Sequence, residues 1–252
     1  MARVLSISSQ TVFGPVGNSA AVPALQMAGH EVLQIPTVLL SNHPGLGNPA
    51  GQSTPAALIE DMFASLQSIG AFDGLDGVMT GYFTSAPQVV AVTKQIAALK
   101  VRHQQLHVLV DPVIGDHGKL YVALDVAETI RNRLVPLATI TTPNLFELTW
   151  LTGTADIASA VKKLGADETI VTSIPQGDAE LRTELHFGQN QSCLSHVMSK
   201  QSHVPNGTGD YLAGCYLSER LKHLPNMAFP NAMQRLEIAI AKSLGSSALQ
   251  LS

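Results

Sequence analysis

The feature that most constrains the fold is a regular alternation of short apolar segments with longer amphipathic segments along the chain. Such alternation is typical of crossover units, in which a helix returns the chain so that consecutive strands run parallel. It predicts an α/β fold with a doubly wound, mainly parallel sheet and helices on both faces. We see no internal repeat, low-complexity tract or linker-like boundary, and we therefore predict a single domain over residues 1–252.

The pattern gives approximate bounds for each element. Strands are predicted at residues 4–7, 31–40, 77–81, 107–110, 138–141 and 169–173, with two further strand-like runs between 183 and 197. Helices are predicted at residues 17–28, 54–68, 85–103, 125–134, 144–152, 155–164, 207–223 and about 230–250. Residues 41–53 are so rich in glycine and proline that we predict a long, irregular functional loop there.

Polar groups follow the carboxyl end of one predicted strand after another. They are Ser8-Ser9, Ser41-Asn42-His43, Gly81-Tyr82, Asp111, Thr142-Pro143-Asn144 and Thr172-Ser173. Ligands of open α/β sheets bind beyond the carboxyl ends of the strands. The sequence therefore predicts a binding site at this edge of the sheet.

The stretch NGTGDYLAG (206–214) places Asp210 directly behind two glycines at the start of a predicted helix. The first turn of a helix has unpaired N–H groups and the positive end of the dipole, so it favours a bound phosphate. Glycines let the backbone approach such an anion closely. Asp210 is then either a helix N-cap or a group that acts on the bound ligand, and this local pattern leaves both interpretations open.

Asn144 and Glu147 lie three residues apart at another predicted helix start, so both side chains can lie on one face. Ordinary capping explains such a pair, because Asn favours helix N-termini and an early Glu favours the dipole. Asp111 and Asp116 follow a neighbouring strand. With them the pair can instead form a water-mediated Mg²⁺ site, since Mg²⁺ keeps several waters and uses few carboxylates.

Two other nucleotide-binding patterns are incomplete. Residues 113–120 lack the leading glycine of a phosphate-binding P-loop, and Leu120 stands where a Ser or Thr must bind magnesium. Residues 45–50 nearly match a dinucleotide fingerprint, but they lie several residues past their strand and Pro49 stands where a helix should open. We favour neither interpretation.

Composition narrows the classes of protein. Apolar residues make up 45% and charged residues 13%, which fits a well-covered core and excludes disorder. The net charge of −4 argues against a general nucleic-acid or anionic-membrane surface, and no apolar run reaches the ~18 residues of a membrane span. The start MARVLSIS reads directly into a strand without a signal peptide, so we expect a cytoplasmic protein. Cys193 and Cys215 are accordingly predicted to be free core thiols.

Taken together, these segments resemble the pyridoxal kinases, a branch of the ribokinase-like superfamily. The matching segments occur in the family's order across most of the chain. They are VLSISS with FGPVGNSAA (4–21), TVLLSNHPG (37–45), TGY (80–82), DPVIGDHGKLYV (111–122), TPNLFEL (142–148), VTS (171–173) and NGTGD (206–210). The resemblance implies an ATP-dependent kinase of vitamin B6 salvage, which phosphorylates the 5′-hydroxymethyl group of pyridoxal, pyridoxine or pyridoxamine.

Carried over by position, the resemblance also implies a role for each site residue. Asp210 would be the catalytic base, and Gly207, Thr208 and Gly209 would form an anion hole. The substrate-binding set would be Ser9, Val16, Val38, His43, Tyr82 and Asp210. The ATP-binding set would be Asp111, Tyr121, Asn144, Thr172, Ser173, Gly207, Thr208 and Gly209, and the metal-binding set Asp116, Thr142 and Glu147. Family members are usually homodimers that use Mg²⁺, often with K⁺ as activator.

The chain departs from the usual family pattern in two places. Its first strand reads Ser8-Ser9-Gln10 where Gln-Ser-His is common, and Pro44 replaces the Thr that commonly follows Ser-Asn-His. Pro44 removes a hydroxyl that could meet the substrate or ATP, which leaves the vitamer preference open. The chain is also compact for this family, so we expect no separate lid domain.

Three alternatives remain at this point. The first is a hydroxymethylpyrimidine kinase of thiamine synthesis, against which the segments GNSAAV (17–22) and SNH (41–43) argue. The second is a non-catalytic vitamin B6-binding or regulatory protein, against which the intact Asp210 and its glycines argue. The third is a nicotinamide oxidoreductase, which would have to bind NAD.

Overall fold

The computed structural model of the chain describes residues 1–188, 192–201 and 204–251. Its strands are β1 (Arg3–Phe13), β2 (Glu31–Asn42), β3 (Gly51–Ser53), β4 (Leu75–Thr80), β5 (His107–Val110), β6 (Gly115–Asp116), β7 (Lys119–Leu120), β8 (Ile140–Thr141), β9 (Glu168–Gln176), β10 (Glu180–Phe187) and β11 (Ser192–Ser199). All but β6 and β7 form one sheet in the order β11-β10-β9-β8-β5-β4-β1-β2-β3. The six strands from β9 to β2 in this order are parallel, and only the outer strands are antiparallel.

Helices cover both faces of this sheet. They are α1 (Asn18–Gln26), α2 (Ala56–Ser68), α3 (Ala86–Arg102), α4 (Leu124–Thr129), α5 (Leu145–Thr152), α6 (Ile157–Leu164), α7 (Thr208–Arg220) and α8 (Pro225–Ser243). Successive side chains of a strand point to opposite faces. Accordingly, Val4 of β1 packs in the core with α1, α7 and α8, whereas Leu5 and Ile7 pack in the core with α2, α3 and α4. The predicted doubly wound, mainly parallel α/β fold is confirmed.

Close packing of α1 against α7 sets the position of both helix starts. A Cβ on Gly214, in the middle of α7, would lie 2.8 Å from the carbonyl oxygen of Ala21. Glycine inside a helix costs about 1 kcal/mol relative to alanine, but here it allows the two backbones to approach. The last glycine of NGTGDYLAG is therefore a packing residue.

The first strand is longer than predicted, and it contains Ser8 and Ser9 instead of ending before them. Its pairing with β4 stops at Ile7 and Thr80, whereas its pairing with β2 continues beyond a register irregularity between Ser8 and Gln10. An irregularity of this kind bends a strand and redirects its side chains. The two serines therefore lie where β4 leaves the sheet, which is still the carboxyl edge that the sequence indicated.

The segment 41–53 is only partly irregular, so the prediction of an irregular loop was wrong for its ends. Pro44–Leu46 forms a 3₁₀ turn, and Gly51–Ser53 forms β3, antiparallel to β2. A Cβ on Gly51 would overlap the carbonyl oxygen of Leu39. Glycine is needed there because it allows two strands to pair closely, and its presence was misread as a sign of irregular structure.

Other element bounds differ in places from the prediction. The last helix begins at Pro225, a residue that suits the first helical turn, and it ends at Ser243. The helix predicted at 125–134 continues from α4 into a π-helical turn at Ile130–Leu134 and a 3₁₀ turn at Val135–Leu137. Of the strand-like runs between 183 and 197, residues 189–191 lie outside the described residues.

Both cysteines are free thiols, as predicted, but only one lies in the core. Cys215 of α7 is buried, whereas Cys193 of β11 is exposed. The prediction of a core position was wrong for Cys193, because β11 is an edge strand with one face open. None of the helices in the described part of the chain combines the length and apolar character needed to cross a membrane.

Candidate active site

The start of α7 positions Asp210. Gly207 is the N-cap of this helix, with a φ of 99°, and Asp210 is the third residue inside it. A Cβ on Gly207 would overlap the carbonyl oxygen of Pro15, so the left-handed backbone and the close approach both require glycine. The interpretation of Asp210 as the N-cap was therefore wrong, because Gly207 holds that position.

Asp210 faces the point where β1 and β4 diverge. A Cβ on Gly81, directly after β4, would lie 2.5 Å from Oγ of Ser8 and 3.7 Å from Oδ1 of Asp210. The backbone N–H of Tyr82 donates to Ser8 Oγ at 3.1 Å. A side chain on Gly81 would therefore collide with the serine hydroxyl, and glycine keeps the space next to the carboxylate free.

The pKa of Asp210 is raised to about 6, chiefly by burial. The backbone N–H groups of Gly17 and of Asp210 itself stabilise the charged form and limit this rise. A carboxyl group of this pKa is mostly ionised at neutral pH, yet it is more basic than an ordinary aspartate. Both properties suit a group that accepts a proton during a reaction.

The loop before α1 brings Ser9 and Val16 to the same place. Gly17 has a φ of 56°, and a Cβ there would overlap Oγ of Ser9 and lie 3.0 Å from Oγ of Ser8. Ser9 and Val16 are both buried. The loop therefore folds down onto β1 beside Asp210, and the N-termini of α1 and α7 meet at one edge of the sheet.

A second group of carboxylates lies next to Asp210. Asp111 follows β5 and is buried, and its Oδ1 accepts a hydrogen bond from Thr142 Oγ1 at 2.9 Å. Burial, followed by the negative charges of Glu147 and Asp210, raises the pKa of Asp111 well above its usual range. A cation bound among these oxygens would relieve the repulsion.

Glu147 and Asn144 form a complete capping box at the start of α5. The N–H of Glu147 donates to Asn144 Oδ1 at 2.8 Å, and the N–H of Asn144 donates to Glu147 Oε2 at 2.9 Å. Glu147 Oε1 also accepts from the N–H groups of Ile114, at 3.0 Å, and Gly115, at 3.4 Å. Burial raises the pKa of Glu147 to about 8, although these N–H groups oppose the rise. The capping interpretation is confirmed, and it is compatible with a cation held through water.

Asp116 belongs to a small hairpin made of β6 and β7. His117 and Gly118 at its turn both have positive φ, 49° and 81°, as in a type I′ turn. Asn144 Nδ2 donates to the carbonyl oxygen of Gly115 at 2.9 Å and ties the hairpin to α5. The segment 113–120 is therefore a hairpin that presents a half-exposed Asp116, and it is not a phosphate-binding loop.

Tyr121 follows this hairpin and faces the carboxylates. Its pKa is raised above the ordinary value, first by burial and then by the negative charges of Glu147, Asp111, Asp210 and Asp116. The residue is 54% exposed, so part of the ring borders solvent. Tyr121 is thus placed at the rim of the site.

Thr172 and Ser173 extend the same edge beyond α5. The N–H of Thr172 donates to the carbonyl oxygen of Pro143 at 3.0 Å, and Thr172 bridges to Asn144. Ser173 is exposed and has a φ of 58°, opposite a register irregularity between Arg182 and Glu184. Left-handed backbone at a non-glycine residue is strained and is found preferentially at functional sites.

The loop after β2 reaches the start of α7. The N–H of Gly45 donates to His43 Nδ1 at 3.1 Å, so the ring proton of neutral His43 is on Nε2. Burial lowers the pKa of His43 and favours this neutral form. A Cβ on Gly45 would lie 3.1 Å from Nδ2 of Asn206, which brings the SNH and NGTGD segments together.

Val38 and Tyr82 lie on the wall that joins β2 to β4. Val38 is buried, and the neighbouring Thr37 donates through Oγ1 to the carbonyl oxygen of Tyr82 at 2.7 Å. Burial raises the pKa of Tyr82, so its phenol stays neutral. The hydrogen bond therefore ties the segment directly after β4 to β2 beside Val38.

Sequence reasoning missed the roles of Gly17 and Asn18 at the site. It placed Ser8 and Gly81 at the predicted binding edge, but the close backbone approach at Gly17 and Gly81 does not follow from residue type alone. Asn18 is buried, accepts from Ser6 Oγ at 2.8 Å, and donates to the carbonyl oxygens of Ser8, at 3.2 Å, and of Ile35, at 3.4 Å. The sequence signal that could have identified Asn18 is its position directly after Gly17 at the start of α1.

Comparisons with known proteins show which family the chain resembles. The model of a family described as phosphomethylpyrimidine kinase matches residues 28–249. A pyridoxal kinase of Corynebacterium diphtheriae is 33% identical over 233 residues, which cover 86% of this chain and 82% of that protein. A pyridoxine/pyridoxal/pyridoxamine kinase of Bordetella avium is 38% identical over 226 residues, which cover 82% of this chain and 73% of that protein.

Two solved structures of pyridoxal kinases share the fold of this chain. Pyridoxal kinase from Leishmania donovani in complex with ADP and pyridoxamine superposes with a TM-score of 0.90 and 28% identity, covering 100% of this chain and 91% of that one. Pyridoxal kinase from Entamoeba histolytica superposes with a TM-score of 0.91 and 25% identity, covering 99% of this chain and 92% of that one.

Proposed function

The chain belongs to the pyridoxal kinases of the ribokinase-like superfamily, and from this membership we propose how its residues carry out phosphorylation of a vitamin B6 vitamer by ATP. It is an enzyme with ATP as co-substrate and a small-molecule acceptor. The observation that carries the assignment of roles is the position of Asp210, whose carboxylate lies beside a glycine-lined helix start.

The vitamer binds between β1, β2 and β4. Its pyridine ring lies among Ser9, Val16, Val38, His43 and Tyr82, with Ser9 as a hydrogen-bonding partner of the ring. This proposal is supported by the burial of Val16 and Val38 and by the contact of the His43 loop with Asn206. The 5′-hydroxymethyl group then points toward Asp210 through the room left by Gly81.

Asp210 is the catalytic base. It accepts the proton of the 5′-hydroxyl as that oxygen attacks the γ-phosphorus of ATP, and the bond to the bridging oxygen breaks to release ADP. A pKa of about 6 supports this role, because the group is ionised at neutral pH and still basic. A positioned acid or base contributes about 10² to 10⁴ in rate.

The start of α7 is the anion hole. The backbone N–H groups of Gly207, Thr208 and Gly209 belong to the first turn, where a helix has no internal acceptors for them. They are available to the oxygens of the transferred phosphoryl group, and the helix dipole adds positive potential. Fixed donors of this kind need no reorganisation during the reaction.

ATP lies along the edge from β5 to β9, against Asp111, Tyr121, Asn144, Thr172 and Ser173. Asp116, Thr142 and Glu147 would hold Mg²⁺, and Glu147 would do so through water, because backbone N–H groups occupy both of its oxygens. The repulsion among the carboxylates around Asp111 fits a bound cation. Mg²⁺ bound with ATP neutralises charge on the β- and γ-phosphates.

The remaining assignments are also proposals. K⁺ is the activating monovalent cation. Residues 1–252 act as a single kinase domain without a lid, and this proposal is supported by the one nine-stranded sheet that runs through the described residues. The chain forms a homodimer, which is supported by exposed apolar side chains on neighbouring strands at Val12, Phe13 and Leu39. A cytoplasmic location stays a prediction.

The test is ADP release in a coupled assay with pyridoxal, pyridoxine, pyridoxamine and hydroxymethylpyrimidine as separate acceptors. Turnover with at least one vitamer, at a kcat/KM above that for hydroxymethylpyrimidine, supports the proposal. Turnover with hydroxymethylpyrimidine alone would assign the chain to thiamine synthesis. Absence of turnover with all four acceptors would contradict a catalytic role.

A further inference from the structure

Three potential metal ligands of different chemistry converge on the β10–β11 hairpin. Glu184 and His186 lie two residues apart on β10, and Cys193 of β11 is paired directly opposite His186. His186 Nε2 lies 2.9 Å from Glu184 Oε2 and 3.9 Å from Cys193 Sγ. All three ligand atoms lie within 4.8 Å of one another. The strand register therefore aims a carboxylate, an imidazole and a thiol at one point.

This Glu–His–Cys cluster lies on the face of the sheet opposite α7 and α8. Leu185 and Leu194, which alternate with its members, pack on the core under α7 and α8, so the cluster faces the other way. His186 is 9% exposed, whereas Cys193 is exposed. The cluster thus has a nearly buried ligand at its base and an entry path for an ion from solvent.

The spacing of the three atoms fits one small ion. A tetrahedral Zn²⁺ with bonds of about 2.0 Å to N and O and about 2.3 Å to S separates its ligand atoms by about 3.3 to 3.6 Å. The two observed separations, 2.9 and 3.9 Å, lie on either side of that range. Arg182 Nε lies 2.9 Å from Glu184 Oε1, the other carboxylate oxygen, and can hold that group in place while Oε2 binds.

We propose that Glu184, His186 and Cys193 form a Zn²⁺ site, with a fourth position open to water. Zn²⁺ accepts sulfur, nitrogen and oxygen ligands together, whereas Mg²⁺ requires oxygen ligands, so the cation of the phosphoryl-transfer site does not compete here. Binding displaces the thiol proton of Cys193 to solvent. The ion would link the two outer strands of the sheet.

The site lies beside β9, the strand that also carries the proposed ATP contacts. His186 pairs with Thr169 near the amino end of β9, and Glu184 pairs with Val171, one residue before Thr172. Thr172 and Ser173, proposed to meet ATP, follow toward the carboxyl end of the same strand. None of the three ligands is among the residues proposed to contact ATP or the vitamer, so zinc is expected to stabilise the hairpin without taking part in phosphoryl transfer.

Co²⁺ substitution tests the proposal, because only a thiolate ligand gives Co²⁺ a sulfur-to-metal charge-transfer band. The reduced full chain is titrated with Co²⁺ in excess Mg²⁺, and the bound Co²⁺ is then displaced by Zn²⁺. We expect a band that saturates at a single equivalent and disappears in Cys193→Ser. Glu184→Gln and His186→Asn should each weaken Co²⁺ and Zn²⁺ binding by about tenfold or more.

The matched control is His196→Asn. His196 Nε2 lies 3.0 Å from Glu237 Oε1 in another imidazole–carboxylate pair, but no thiol joins this pair in a cluster among the described residues. Its binding curves should overlay those of the parent, and unchanged kinase turnover reports that each variant is folded. Absence of the band in the parent, its persistence in Cys193→Ser, or unchanged affinity in His186→Asn would each overturn the proposal.

Discussion

A side chain on Gly207 would overlap the carbonyl oxygen of Pro15, so the start of α7 and the loop before α1 touch through backbone alone. This contact fixes the N–H groups proposed as the anion hole relative to β1 and its serines. Gly209, two residues later, differs: apart from its chain neighbours and the nearby backbone of α7, no atom of the described residues lies within 4 Å of a Cβ built there. Two glycines of one short segment therefore have different physical roles.

Alanine substitutions separate these roles. Gly209→Ala should keep or raise the melting temperature, because alanine favours a helix by up to about 1 kcal/mol. It should lower kcat/KM by about 10- to 100-fold, because the methyl group enters the space proposed for the phosphoryl group. Gly207→Ala should instead lose stability, by more than the roughly 1–2 kcal/mol of a left-handed backbone. Parental kcat/KM in Gly209→Ala would show that the open space is not used.

Glu147→Gln tests the proposed cation site and the capping box together. Both carboxylate oxygens of Glu147 accept hydrogen bonds from backbone N–H groups, but the NH₂ of glutamine cannot accept one. At least one of these hydrogen bonds is therefore lost, and the free energy of unfolding should fall by about 1–3 kcal/mol. The Mg²⁺ concentration for half-maximal activity should rise, because an amide cannot ionise when the cation binds, as the carboxyl group of Glu147 can. Glu128→Gln on α4, an exposed site, is the matched control. If the Mg²⁺ titration of Glu147→Gln overlays the parental one, the cation lies elsewhere.

The raised pKa of Asp210 predicts a pH-dependent difference in stability. Its folded pKa of about 6 exceeds the ordinary value of 3.8, so between these values the folded state retains a proton that the unfolded state has released. The free energy of unfolding therefore falls as pH rises through this window. Asn at position 210 cannot ionise, so Asp210→Asn lacks this fall in the free energy of unfolding. The variant should be more stable than the parent at pH 8 by about 2–3 kcal/mol, and the difference should be near zero at about pH 4.

Asp156→Asn supplies a control of opposite sign for that titration. A hydrogen bond with Ser159 lowers the pKa of Asp156, which caps α6, so its contribution to stability is present at neutral pH and is lost in acid. Urea unfolding of the three proteins across this pH range gives the comparison. An Asp210→Asn variant with a constant offset from the parent at all pH values would show that burial does not perturb this carboxyl group.

Pro44→Thr tests whether the loop after β2 contacts a ligand. Pro44 opens a 3₁₀ turn that follows His43, and threonine would restore a hydroxyl beside the proposed vitamer site. We expect a change of about threefold or more in KM for vitamer or ATP, equal to the ~0.5–1.5 kcal/mol of one hydrogen bond. The melting temperature should change little. Unchanged KM for both substrates with altered melting would make the loop purely structural.

The fold was predictable because its parallel strands are buried on both faces and are therefore continuous apolar segments, whereas its helices are buried on one face and are amphipathic. The two kinds of segment alternate along the chain. The extension of β1 beyond Ile7 was not predictable, because it depends on pairing with β2 after β4 has ended. The exposure of Cys193 was missed for a similar reason. Alternation along β11 separates its two faces but does not say which of them meets α8.

The candidate site shows the same limit. Asp111, Thr142 and Glu147 are polar residues at strand ends or at a helix start, so their types and positions were enough to propose them as site residues. Gly17 and Gly81 shape the site by lacking a side chain, and glycine has many other uses in a sequence. The position of Asp210 inside α7, not at its cap, required the φ of Gly207.

Steady-state kinetics of Asp210→Asn test the central claim most directly, with ATP binding to the folded variant measured by calorimetry. The amide keeps the size of the side chain but cannot take the proton, so kcat should fall by about 10² to 10⁴. KM should change less than kcat, and ATP affinity should stay within a few-fold of the parent, because the amides of Gly207 to Gly209 are untouched. Asp156→Asn, also at a helix start, should keep parental kcat. An Asp210→Asn variant that retains more than about a third of parental kcat would contradict the assignment of Asp210 as the base.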